Sequence, residues 1–510
     1  MITNQELKSK IDYIHKACLT TNSLRERDKI LSHLISITKS ALHEQLLSYK
    51  PDDIIICTLK LFLYYNKTLN HDDNMCDWKR RRKRRLAKEC YNNLLQVYIP
   101  EKSKEILQAV LNTIYENKLW EFETVCFEIL CNLLESGVNG SLMFYTIFDK
   151  IEDPNMNIED TRRIIRILYD LLDVYEWPDT YDTLMVIKRI LNLFYISVTT
   201  TKSSVSFIKY SHAIPYAMIK KGLEVCIINM VKHVYNDHLL IIVQYMCSWA
   251  VEPGMTDEII LEYGSTLEYT AYMHEVTLYE KSLTPNIFPL LMEMIASKSK
   301  ITSLLGNRVM QYLLDRRENK MNFDTPRIFF ENTQFDLTIG ECFKEDKMFC
   351  KLHREILHDS LLKSIVNHCT SRMNLETSYC TICLLAIEVP CGFTAAAIVC
   401  LIMNLQDLTL KEYKDQHEVS YHLHATIIAI MSLLCWVHKA KVFYEYVNKI
   451  MLERAQWAPH LNPPIQSQYN FAAHHILWDK PDLFFVDWEA RYGLWKCFRL
   501  RETEDEATDI

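Results

Sequence analysis

Apolar residues recur along this chain at intervals of three and four, the period of one helical face. Ile30, Leu34 and Ile37 form one such stripe. It follows Ser23-x-x-Glu26, the pattern of a capping box that satisfies free amides at a helix start. Cys126, Leu130, Leu133 and Leu134 form a second, and Gly137 is placed to stop it as a C-cap. Ile164, Ile167, Leu168, Leu171 and Leu172 form a third, closed by Trp177 and Pro178. The same spacing continues through Leu184, Ile187, Leu191 and Phe194, then Ile227, Met230 and Val231, then Leu240, Val243 and Met246.

Polar or proline breaks punctuate these stripes near Pro51, Pro100, Asn117, Gly137, Pro154, Pro178, Thr199–Ser204, Asn236 and Pro253. They leave helices of about 12–20 residues joined by short turns, which favours antiparallel packing of neighbours. The pattern predicts an all-α chain. A succession this long is best solved as an armadillo/HEAT-like α-solenoid of stacked helices. The alternative is a compact multi-helix bundle. Around Val389–Gly392 a tight break joins two very apolar helices, 378–388 and 394–405. Over that stretch the pattern resembles an armadillo unit.

Two interruptions divide the chain. Residues 315–340 combine Arg316, Arg317, Glu318 and Lys320 with Pro326 and scattered phenylalanines, and read as an ordered connector. The expected blocks are therefore a helical-repeat block at 1–314, the connector at 315–340, and a helical block at 341–500. The second block ends in an aromatic cap. Residues 501–510 hold five acids and one arginine, and read as a disordered acidic tail.

Composition narrows the picture. Nine glycines in 510 residues is far below the usual ~7%. Hairpin-rich and phosphate-loop folds need more, because glycine supplies their positive-φ turns. The 17 cysteines fall mostly in apolar helical stretches, where a free thiol packs as a small hydrophobe. With no apolar signal core in residues 1–19, a reducing intracellular compartment is expected. No uninterrupted apolar run reaches ~18 residues, so no membrane span is expected. The longest runs, 395–405 and 425–437, read as core helices.

Net charge is −8. The seven consecutive bases Lys79, Arg80, Arg81, Arg82, Lys83, Arg84 and Arg85 carry +7, which leaves −15 on the rest. An acidic body with one basic spot argues against a general nucleic-acid surface. No apolar residue lies between Trp78 and Leu86, so this stretch has no stripe to bury and is expected to be exposed. Such a run suits a nuclear localisation signal read by importin, or a contact to another acidic partner or anionic lipid. The bland reading is a solvated helix start.

No nucleotide-binding loop, HExxH or nucleophile motif occurs, so no catalytic, cofactor or metal residue is assigned. Cys380 and Cys383 have half of a zinc-site spacing, and Cys369, Cys391, His422 and His424 lie near in sequence. Their apolar helical context favours buried, metal-free thiols. His474 and His475 have no accompanying nucleophile. The aromatic stretch 457–498 reads as a cap over the last helices, with Trp478, Trp488, Tyr492 and Trp495 as possible partner-binding side chains. The expected function is a non-enzymatic scaffold or adaptor for a protein or peptide, in the nucleus. The alternatives are a cytoplasmic scaffold in the cytoskeleton or trafficking, or an enzyme whose site leaves no linear motif.

Overall fold

The computed structural model describes residues 3–20, 23–67, 77–203, 216–413, 417–466, 469 and 480–508. Among the described residues there are 22 α-helices and no strand. The all-α expectation holds. The chain forms two compact units, Met1–Val234 and Tyr235–Ile510.

In the second unit the helices stack in two rows. Asp257–Met273, Lys300–Leu314, Arg372–Glu388 and His417–Val437 pack one on the next. Behind them run Asn236–Ala250, Phe288–Ile295, Arg354–Asn367, Gly392–Glu412 and Asp487–Thr508, again each on its successor. Helices adjacent in sequence pair across the rows. In the first unit, Glu123–Glu135, Ile158–Val174 and Lys220–Val231 form one row, and Gly140–Ile151 packs on Tyr181–Ser203 in another. Such stacking buries a continuous core between the rows.

The predicted stripes are the core faces. Ile164, Ile167, Leu168, Leu171 and Leu172 are all buried, each side chain contributing about 1.5–3 kcal/mol. The Glu123–Glu135 helix stops as expected. Gly137 adopts φ +89°, the Val138 amide donates to the Leu133 carbonyl, and the Gly137 amide donates to Leu134. That is a Schellman turn. The break expected near Pro100 is present as a kink: within Asp77–Glu116 the backbone leaves helical conformation at Lys102, φ −126° and ψ 34°, and separates two helices.

Several expectations need correction. Leu24–Ser40 begins after Ser23, but the Ser23 side chain caps no amide. Burial of Ile30, Leu31, Leu34 and Ile37 holds that helix instead. The 315–340 segment lies inside the unit Tyr235–Ile510. The segment is ordered because Phe323 and Phe329 are fully buried. The Asp315 carboxylate also accepts the amides of Arg317, Asn319 and Lys320. Helix Asp487–Thr508 includes most of the acidic end.

Among the described residues, three helices are long and apolar enough to cross a bilayer: Tyr181–Thr200, Gly392–Glu412 and Glu418–Val437. The expectation of no membrane span is therefore not confirmed: isolated polar residues keep any apolar run short, yet these helices continue through them. Within the protein, 50%, 56% and 83% of these stretches is buried. The third carries Ser420, His424, Thr426 and Ser432 buried among its neighbours.

Candidate functional site

The basic segment opens the Asp77–Glu116 helix. The face that follows it buries Ala87, Tyr91, Leu94 and Leu95, and this fixes the helix rotation. Lys83 and Arg84 flank that face and are only part-exposed. Lys83 Nζ donates to Asp28 Oδ2 at 2.7 Å, and Tyr65 donates to the other oxygen of Asp28 at 2.9 Å. Arg84 and Lys88 both donate to Glu128, at 2.5 and 2.7 Å. The Arg84 guanidinium also lies 5.2 Å from the Phe62 ring centroid.

The expectation of seven exposed bases is thus corrected for two of them. Pairing with Asp28 and Glu128 relieves the cost of bringing Lys83 and Arg84 against the body. These acids lie 55 and 44 residues away in sequence, so no local pattern announced them. Lys79, Arg81, Arg82 and Arg85 remain exposed. Arg85 is 3.5 Å from Glu89, a pair worth little in water. The Arg80 side chain lies outside the described residues.

The second surface is the last helix, Asp487–Thr508. Ala490 and Leu494 are its buried side. Trp488, Tyr492 and Trp495 follow at i, i+4 and i+7, so they share one face. They are 64%, 51% and 51% exposed. Their rings form a ladder, with centroids 6.2 Å apart between Trp488 and Tyr492 and 5.8 Å between Tyr492 and Trp495. Arg499 adds a cation 5.1 Å from the Trp495 ring. Trp478, His474 and His475 lie outside the described residues. Elsewhere in the stretch, Tyr469, Phe484 and Phe485 are buried, while Trp457 is exposed.

Cys380 and Cys383 are buried. Burial pushes the Cys380 thiol up to about 12 and the Cys383 thiol well above its ordinary range. The Cys380 thiol points to the Lys320 carbonyl at 3.9 Å. Among the described residues no three His, Cys, Asp or Glu side chains gather as a metal site. His424 is fully buried, and desolvation together with nearby Arg454 holds it well below its usual range.

The family described as EFR3, armadillo repeat, matches residues 27–475. EFR3 homolog B of Mus musculus is 20% identical over 153 residues, 29% of this chain and 18% of that protein. The human EFR3 homolog B matches to the same extent. EFR3 homolog cmp44E of Drosophila melanogaster is 22% identical over 213 residues, 40% of this chain and 25% of that protein. Each alignment covers a quarter or less of the relative's own length.

Proposed function

This chain belongs to the EFR3 armadillo-repeat family, and from that premise we propose that it is a non-enzymatic scaffold that holds protein partners against an anionic membrane surface. The observation that carries the membrane contact is the basic helix start. Lys83 and Arg84 fasten it to the folded body through Asp28 and Glu128, while Lys79, Arg81, Arg82 and Arg85 stay exposed. An array fixed in this way needs little ordering on binding, and each base near an anionic bilayer is worth about 1 kcal/mol. The Trp488–Tyr492–Trp495 face is the candidate for a protein partner, since exposed aromatics beside arginine have the composition of an interface hot spot.

The nuclear reading, with importin as partner, assumed seven accessible side chains. Two of the seven are engaged within the fold, and the family match gives it no support. The test is flotation of the full chain with phosphatidylserine-containing and pure phosphatidylcholine vesicles. The wild-type chain is expected to float only with the anionic vesicles. R81A/R82A/R85A is expected to weaken this by on the order of 100-fold. Equal binding to neutral vesicles, or an unchanged triple variant, would remove the membrane role. Imaging the same variants decides the nuclear alternative: nuclear accumulation lost with the triple variant would restore it.

A further inference from the structure

Residues 315–340 mix charge with aromatics, and the membrane contact makes no use of them. In the fold Lys320 comes to lie against the row of helices that includes Asp257–Met273 and Lys300–Leu314. Its ammonium sits 3.3 Å from the Tyr312 ring centroid. Tyr312 in turn meets Tyr272 edge-on at 5.7 Å, and Tyr272 meets Tyr269 at 6.5 Å. Tyr272 is 64% exposed, and Met321, next in the chain to Lys320, is 83% exposed.

The charges around this patch are unevenly matched. Arg308 is held by Glu268, at 3.1 and 3.4 Å to its two oxygens. Asp315 spends its carboxylate on three backbone amides. Lys320 forms no ion pair with any described residue: its ammonium rests on the Tyr312 ring, and Glu268 and Asp315 act on it only at longer range. Its backbone is pinned at both ends, by the amide donating to Asp315 and by the carbonyl accepting the Cys380 thiol. Half-burial lowers the pKa of the ammonium, a cost that an incoming carboxylate would reverse. A desolvated cation on an aromatic face, with further tyrosine exposed beside it, has the features of a buried hot spot before its partner arrives.

We propose that Lys320, Tyr312 and Tyr272 form a docking site for an acidic peptide, with a carboxylate on Lys320 Nζ and an adjacent apolar side chain against Tyr272. Charge complementarity selects this occupant: the cation without an ion pair calls for an anion, and the tyrosines call for apolar surface. The site is separate from the basic helix start and stands or falls independently of the membrane contact.

The experiment uses the full chain carrying R81A/R82A/R85A, so that the basic helix start does not capture the probe. The probe is a fluorescein-labelled peptide of alternating glutamate and leucine, read by fluorescence anisotropy. The glutamine–leucine and lysine–leucine analogues are its controls. Only the acidic probe is expected to bind. K320Q and Y272A are each expected to weaken it at least tenfold, K320R to retain most of it, and all three to keep the parent melting temperature. Equal binding of the glutamine analogue, or unchanged binding by K320Q, overturns the proposal. Two other results also overturn it. One is a dimer in sedimentation velocity that Y272A dissolves, which makes the face a contact between copies. The other is anionic-vesicle binding that K320Q abolishes, which makes the occupant lipid.

Discussion

Arg454 is the largest fully buried side chain among the described residues, and its hydrogen-bond partners are carbonyl oxygens. Nε donates to Leu483 at 2.7 Å, and one terminal nitrogen donates to His424 at 3.2 Å and Leu461 at 3.1 Å. Burial draws its pKa down to about 9. One guanidinium thus ties helix His417–Val437 to the turns at 459–461 and 481–483. Arg454→Ala should cost about 2–3 kcal/mol, since it takes away the donor to the buried Leu461 and Leu483 carbonyls, whereas the mid-helix His424 carbonyl keeps its backbone bond. Arg454→Lys should not rescue it, because a single ammonium does not reproduce the planar fork. Urea denaturation measures both, and an alanine variant as stable as the parent would refute the role. Glu388 is the opposite case. It is fully buried, Asn319 donates to one of its oxygens at 3.0 Å, and burial raises its pKa from 4.5 to about 7. Below pH 4.5 the group is neutral in both states, and its favourable contribution is complete. That contribution is lost as pH rises through about 7, because ionising costs more in the folded chain. The shift corresponds to on the order of 3 kcal/mol. Glu388→Gln should therefore raise the melting temperature at pH 8 and change it little at pH 5. Parallel melting curves at the two pH values would expose an error.

At the scale of single elements, close approach between helices decides what the stripes alone leave open. A Cβ on Gly306 would stand 2.7 Å from the Met294 Cβ and 3.0 Å from the Ile295 backbone nitrogen. Helix Lys300–Leu314 therefore rests directly on Phe288–Ile295. Gly306→Ala would gain about 1 kcal/mol in helix propensity, but separating the two helices should cost about 1–3 kcal/mol. The expected net result is destabilisation, read as a lower urea midpoint. A raised midpoint would mean that the pair relaxes freely. Between Lys300–Leu314 and its neighbours runs a polar seam. Ser303 and Ser364 are 3.1 Å apart, Ser364 and Ser378 are 2.9 Å apart, and Thr381 donates to Asn307 at 2.9 Å. A slip in helix register would break these bonds together, so the seam favours one alignment of the stack.

For the molecule as a whole, charge distribution matters more than charge total. The chain is net negative, so its overall charge opposes an anionic bilayer and the concentrated bases of the helix start favour contact there. Binding there should be oriented, and it should weaken with salt as screening shortens the field. Raising sodium chloride from 0.1 to 0.5 M is expected to release the full chain from phosphatidylserine vesicles while its melting temperature shifts little. The core is apolar and the exposed pairs contribute little to stability. Binding that persists at 0.5 M would point to apolar insertion instead.

Local spacing determined the helices. Ile164 through Leu172, Gly137 and the break at Pro178 were legible because helix periodicity and turn chemistry act over a few residues. Low glycine content excluded the phosphate-loop scaffolds for a similar reason. The exposed face of Trp488, Tyr492 and Trp495 also followed a local period. Tertiary structure decided what depends on distant residues. Lys83 and Arg84 read as solvated until Asp28 and Glu128 arrived from other helices. The Ser23 box matched its pattern, yet packing rather than a cap hydrogen bond holds that helix start. Lys320 became distinctive only when Tyr312 came beneath it and Glu268 took Arg308 away. Periodicity records which face a helix buries. It does not record which charge finds a partner, because that depends on contacts between segments far apart in the chain.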